Sequence, residues 1–173
     1  EGYLSSVKRL LKDSERDLYL KNKIVGVVAN LIKVPAKYEV AIEMALGSAV
    51  QNIVTKDEDD AKNLINYLKQ NNYGRATFLP ISSIKPRVFD YSYNRSLSIN
   101  GCFGVASELI DYDPKINNVI SNLLGTTVIV DNIETAVTLA KDTRYGFKIV
   151  TLDGDIINPQ GSLTGGSKKA EVT

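Results

Sequence analysis

The sequence contains no histidine, one cysteine and no long apolar run. Without histidine, Ser-His and Cys-His nucleophilic pairs and histidine-ligated metal sites cannot form within the chain, which removes the common kinds of hydrolase chemistry. Cys102 alone excludes an internal disulfide and points to a reducing, cytoplasmic compartment. No stretch approaches the roughly 20 apolar residues that span a bilayer. The opening "EGYLSSVKRLLKDSERD" is amphipathic rather than signal-like, so no membrane partner is expected. An excess of one charge is missing too: 21 Lys+Arg stand against 20 Asp+Glu. Any contact with a polyanion must therefore come from a local patch.

What is present is an ordinary globular composition over 173 residues, 43% hydrophobic and 24% charged, enough for one domain or two small halves. The chain begins with Glu1 rather than Met, so it is expected to be a piece of a longer protein.

An internal repeat organises the sequence. Residues 34–68, "VPAKYEVAIEMALGSAVQNIVTKDEDDAKNLINYL", align with 113–140, "DPKINNVISNLLGTTVIVDNIETAVTLA". Each has a proline, an apolar helical pattern, Leu-Gly, a β-branched run, an acidic turn and a second helical pattern. In the second copy Ile116, Val119, Ile120, Leu123 and Leu124 form one helical stripe opened by Pro114 and closed by Gly125. "TTVIVD" (126–131) then reads as a buried strand. Asp131 and Glu134 have capping-pair spacing for a helix bearing Ile133, Ala136, Val137 and Ala140. The first copy repeats this with Ala41, Ile42, Ala45 and Leu46, the strand "AVQNIVT", and Ala61, Leu64, Ile65 and Leu68. Further strands follow at "RATFLPI" (75–81) and "FKIVTLDG" (147–154), so the chain is predicted to be α/β. Residues 82–104, between the copies, read as irregular connection. Leu4, Val7, Leu11 and Leu18 suggest a leading helix.

Candidate chemistry is sparse. "NPQGSLTGGSKK" (158–169) approaches a Walker loop, but its lysine falls one place late, and no G-x-G-x-x-G is present. The same glycines, Gly161, Gly165 and Gly166, equally suit close approach of two backbones. "DEDD" (57–60) reads as a helix start, where carboxylates meet free N–H groups, rather than a metal cluster. Cys102, without a base to activate it, reads as a small hydrophobe. "FDYSYNR" (89–95) is either a stacking platform for single-stranded nucleic acid or a segment pinned by tyrosine packing.

The ordered set "EGYLSSVKRLL", "VPAKYEVAIEMALGSAVQNIVT", "DEDDAKNLINYLKQNNYGRATFLPIS", "LLGTTVIVDNIETAVTLAK" and "IVTLDGDIINPQGSLTGGS" resembles the hinge domain of SMC (structural maintenance of chromosomes) proteins, of the bacterial homodimeric type. The resemblance covers nearly the whole chain. It implies a mixed α+β fold of two pseudo-repeated subdomains, helices packed on mixed sheets, that dimerise through strand edges. The implied layout is an entering coiled-coil end (1–22), subdomain 1 (23–85), a connecting segment (86–106), subdomain 2 (107–167) and the start of the exiting coiled coil (168–173). It further implies a homodimer, or a heterodimer with a paralogue, interfaced at Gly161, Leu163, Thr164, Gly165 and Gly166, with Phe78 and Leu79 as a mating strand. Non-specific DNA binding is implied at Lys168 and Lys169, with Lys8, Arg9 and Lys12 nearby. No catalysis, cofactor or metal is expected in this domain. The ATPase, kleisin and accessory subunits would belong to the full-length protein, at the nucleoid. Gln160 departs from relatives that carry a further glycine there, and the lone Cys102 separates the chain from C-x-x-C zinc hooks. Alternatives are a small nucleotide-binding domain using the 161–168 loop and an interaction module without DNA contact.

Overall fold

The computed structural model describes residues 3–167. In chain order its helices and strands are α1 (Ser5–Ser14), α2 (Leu18–Lys21), β1 (Gly26–Val27), α3 (Val28–Leu31), β2 (Ile32–Lys33), α4 (Glu39–Leu46), β3 (Ile53–Thr55), α5 (Glu58–Asn71) and β4 (Phe78–Pro80). There follow α6 (Asn94–Leu97), β5 (Cys102–Val105), β6 (Asp111–Tyr112), α7 (Asn117–Leu124), β7 (Thr127–Val130), α8 (Ile133–Asp142), β8 (Lys148–Thr151), β9 (Ile156–Ile157) and β10 (Leu163–Thr164).

These elements group into two compact units that alternate along the chain. One takes the residues up to Lys33, Gly47–Arg87 and Asp111–Leu123; the other takes Val34–Leu46, Val88–Ile110 and the residues from Leu124 onward. Helix α4, from the first repeat, therefore belongs to unit 2, and most of α7, from the second, belongs to unit 1. The layout of subdomain 1 at 23–85, a connecting segment at 86–106 and subdomain 2 at 107–167 remains a proposal.

Unit 1 holds a three-stranded sheet, β1-β3-β4, in which β3 and β4 run parallel with α5 as their crossover. Asp57 starts α5 by accepting the Asp60 N–H at 2.9 Å, and Asn72, in the left-handed region, ends it. The acidic run is thus a helix start. Its Asp60 carboxylate also takes Lys56 at 2.7 Å and lies 3.5 Å from Lys23. Leu64 and Leu68 close over Ile53 and Val27, and α1 adds Val7 and Leu10 to this core. Leu4 and Leu18 are exposed, so the buried stripe of the leading segment is carried by Val7, Leu10 and Leu20 instead.

Unit 2 holds a five-stranded sheet, β10-β9-β8-β7-β5. Here too β7 and β8 run parallel, with α8 as crossover, so the repeat is a duplicated strand-helix-strand unit. Asn132, not Asp131, caps α8, accepting the Thr135 N–H at 2.9 Å. The Asp131 carboxylate instead lies against Gly101, where a Cβ would come within 2.6 Å of both oxygens.

Two other local expectations differ. Of "AVQNIVT", only Ile53–Thr55 is strand, since Gly47–Gln51 forms a 3₁₀ turn closed by the Asn52 N–H on the Ala49 carbonyl. Residues 82–104, expected to be irregular, contain α6, most of β5 and the buried Phe89. Phe89, Tyr93 and Phe147 stack with ring centroids 5.1 to 6.2 Å apart, so aromatic packing, the second of the two readings of 89–95, organises this stretch. No helix among the described residues is long and apolar enough to cross a membrane.

Candidate functional site

The glycine-rich segment forms the last hairpin of unit 2. A turn from Asn158 to Gly161 reverses the chain. The Gly161 N–H donates to the Asn158 carbonyl at 2.8 Å, with Gly161 at φ +98°, a conformation that favours glycine. Gln160 lies in this turn without adopting positive φ, so no further glycine is required there. Strand β10 then pairs antiparallel with β9, Leu163 opposite Ile157 and Thr164 opposite Ile156. Leu163 shares the sheet face of Ile157, which is buried in the core, yet Leu163 itself is 54% exposed. The core face of the sheet continues past its edge uncovered.

Gly165 and Gly166 have a different local role. The Asp155 carboxylate accepts the Gly166 N–H at 3.2 Å and occupies the space a Cβ on Gly165 would need. A phosphate cradle offers its N–H groups to an anion from outside. Here a carboxylate of the chain already takes one.

Strand edges differ in their availability. β10 ends the five-stranded sheet at one side, and β4 ends the three-stranded sheet. At the opposite end of the larger sheet, β5 carries a register shift between Cys102 and Gly104. Its Phe103 meets Tyr38 edge-on at 5.6 Å and lies 4.0 Å below the Lys37 ammonium. Bulges and covering side chains disfavour edge pairing. On β4, Leu79 is buried and Phe78 half-buried, so that strand presents its main chain and Pro80 rather than apolar side chains.

The basic residues Lys8, Arg9 and Lys12 are exposed on α1, and the Arg9 guanidinium lies 5.3 Å from the Tyr73 ring centre. Lys168 and Lys169 lie outside the described residues. Sequence reasoning missed Arg16, in the turn just past the end of α1. It lines an open cavity of about 310 Å³ with Lys12, Asp13 and Tyr67. It also missed Asp13, which accepts the Tyr67 hydroxyl at 2.5 Å and the Tyr73 hydroxyl at 2.7 Å. These bonds hold the Asp13 carboxyl below its usual range and push both phenols upward. They fasten α1 to α5 and to the turn that follows it.

Of the remaining candidates, Cys102 is half-buried, and burial raises its thiol, which lowers its reactivity. In segment 89–95 the rings of Phe89 and Tyr93 are taken into packing. Tyr91 is the one exposed aromatic there, and its hydroxyl donates to Glu108.

Two alternating units, each with a parallel strand-helix-strand crossover, define an α/β domain whose β10 has a single strand neighbour among the described residues. Residues 21–140 match the family model of the SMC proteins flexible hinge domain, and the chain belongs to that family. It is 46% identical over 169 residues to the chromosome partition protein Smc of Bacillus subtilis (strain 168), covering 97% of this chain and 14% of that protein. It is 41% identical over 149 residues to the protein of that name from Methanocaldococcus jannaschii, covering 86% of this chain and 12% of that one. Among solved structures, an asymmetric dimer of the Geobacillus stearothermophilus SMC hinge domain matches with TM-score 0.89 and 40% identity, over 98% of this chain and 68% of that one. The Pyrococcus furiosus SMC hinge domain matches with TM-score 0.71 and 32% identity, over 100% and 97%. The expected mixed α/β hinge fold is borne out. The chain spans about one seventh of the length of the first of these curated relatives.

Proposed function

We propose that this domain is the dimerisation hinge of an SMC chromosome-segregation ATPase, joining two coiled-coil arms and touching DNA without reading sequence. The carrying observation is the β10 edge, where main chain without a second strand neighbour among the described residues and the exposed Leu163 adjoin a buried sheet face. An uncovered strand edge invites pairing with another chain, and β4 of a second copy offers a free edge of matching kind. The solved relative from Geobacillus stearothermophilus is itself a dimer. Gly161, Leu163, Thr164, Gly165 and Gly166 would lie at the contact, with Phe78 and Leu79 contributing backbone. Sedimentation equilibrium tests this reading: the chain should run as a dimer, and Leu163→Pro, which removes the N–H that β10 turns away from β9, should shift it toward monomer. A variant as dimeric as the parent contradicts the edge.

The DNA part rests on Lys8, Arg9 and Lys12, exposed on one helix. Such side chains neutralise phosphates, so affinity should fall steeply with salt. Replacing all three with Gln should flatten the slope of log K against log salt on duplex DNA by about 0.9 for each phosphate left without its cation. An unchanged slope favours an interaction module without DNA contact. ATP turnover, kleisin and other subunits, and a place at the nucleoid, belong to the longer protein under this reading.

A further inference from the structure

Unit 2 carries a second exposed apolar surface beside the β10 hairpin. Helix α4 buries Ala41, Ile42, Ala45 and Leu46, yet Val40 and Met44, one turn apart, stay 52% and 42% exposed. Both lie over Gly154 in the turn between β8 and β9. A Cβ on that glycine would come within 2.8 Å of Met44 Cγ and 3.2 Å of Val40 Cγ1. The next residue, Asp155, holds the Gly166 N–H and packs on Gly165. Two consecutive turn residues thus join the Val40–Met44 pair to the loop that follows β10.

We infer that Val40 and Met44 are covered by a second copy of this chain, as an apolar extension of the β10 contact. The inference rests on the dimerisation reading above. Its physical ground is area. A stable specific interface covers about 800 Å² on each partner, whereas β10 has two residues, β4 has three, and Leu79 is already buried. Strand pairing with Leu163 cannot supply that area alone, so adjoining surface must be covered as well. Val40 and Met44 are the exposed apolar pair that the Gly154–Asp155 turn connects to the hairpin. Apolar side chains one turn apart at the border of a main-chain contact are what a second protein surface would bury.

The test compares dimer dissociation constants by sedimentation equilibrium for the parent chain, Val40→Lys with Met44→Lys, the near-isosteric Met44→Gln, and the control Leu18→Lys. Leu18 is 72% exposed, on unit 1. Thermal melts read by circular dichroism establish that each variant is folded. The expected result is a dissociation constant raised at least tenfold in the double variant and severalfold in Met44→Gln, with Leu18→Lys unchanged. Should the double variant fail to fold, Met44→Gln decides. A parent dimer whose α4 variants dissociate as the parent does, or no more than Leu18→Lys does, overturns the inference while leaving the dimerisation reading standing. A parent that is monomeric at tens of micromolar overturns both.

Discussion

Asp13 is the residue whose chemistry most constrains its surroundings. Two phenols, Tyr67 and Tyr73, donate to one carboxylate, which lowers the Asp13 carboxyl and raises both tyrosines. The folded state therefore binds the Asp13 proton less readily than the unfolded chain does. The stability it lends is complete above about pH 4 and is lost as pH falls through the lowered value. The tyrosines act at the other end: held neutral when folded, they favour the folded state below about pH 10, and that support is lost as pH rises through their raised values. Alkaline titration followed by tyrosinate absorbance should show a delayed component in the native chain. Asp13→Asn should advance it toward the ordinary range. Identical curves for the two proteins would contradict the network.

At the scale of elements, both crossover helices depend on a side-chain cap at the first turn, Asp57 on α5 and Asn132 on α8. Asn132→Ala removes the acceptor for the Thr135 N–H and should cost about 1 kcal/mol, or about 2 to 4 °C in Tm for a chain of this size. Glu134→Ala, at the position expected from spacing to complete a capping box, should stay within about 0.5 kcal/mol. Equal losses from the two would restore the Asp131–Glu134 pair. Asp131 packs against Gly101, on the loop that leads into β5, and its carboxylate accepts only the Asn132 N–H at 2.7 Å, while Asn132 reaches the Thr135 N–H. Tertiary contacts likewise explain the stretch 82–104. Its serines and glycines describe local bending correctly, but Phe89 reaches the core through partners, Phe147 and Tyr93, that sequence proximity does not all supply.

For the whole molecule, the consequence of the alternating segments is cooperative dependence. The chain passes between its two units five times, and α4 and most of α7 serve the unit other than that of their own repeat. A fragment ending at Arg87 lacks residues 111–123 of unit 1, and the complementary fragment lacks α4 from unit 2. Each fragment alone should show no cooperative melt, and mixing the two should recover one, measured by circular dichroism at matched concentration. A fragment that melts cooperatively by itself would show that the exchanged segments are dispensable.

The sequence by itself determined the duplicated helix-strand-helix pattern with a further strand after each copy, the helix stripes at Ile42, Leu64 and Ile120, the acidic start of α5 and the family. Each of these follows from periodicity, or from an ordered set of short matches spread along the chain. Tertiary structure alone decided that α4 and most of α7 change units, that Asn132 caps α8, and that Asp155 holds the Gly165–Gly166 backbone. It also decided which strand edges remain open. The physical reason is common to all four: periodicity records which face of a segment avoids water, but not which distant segment covers that face or meets its main chain.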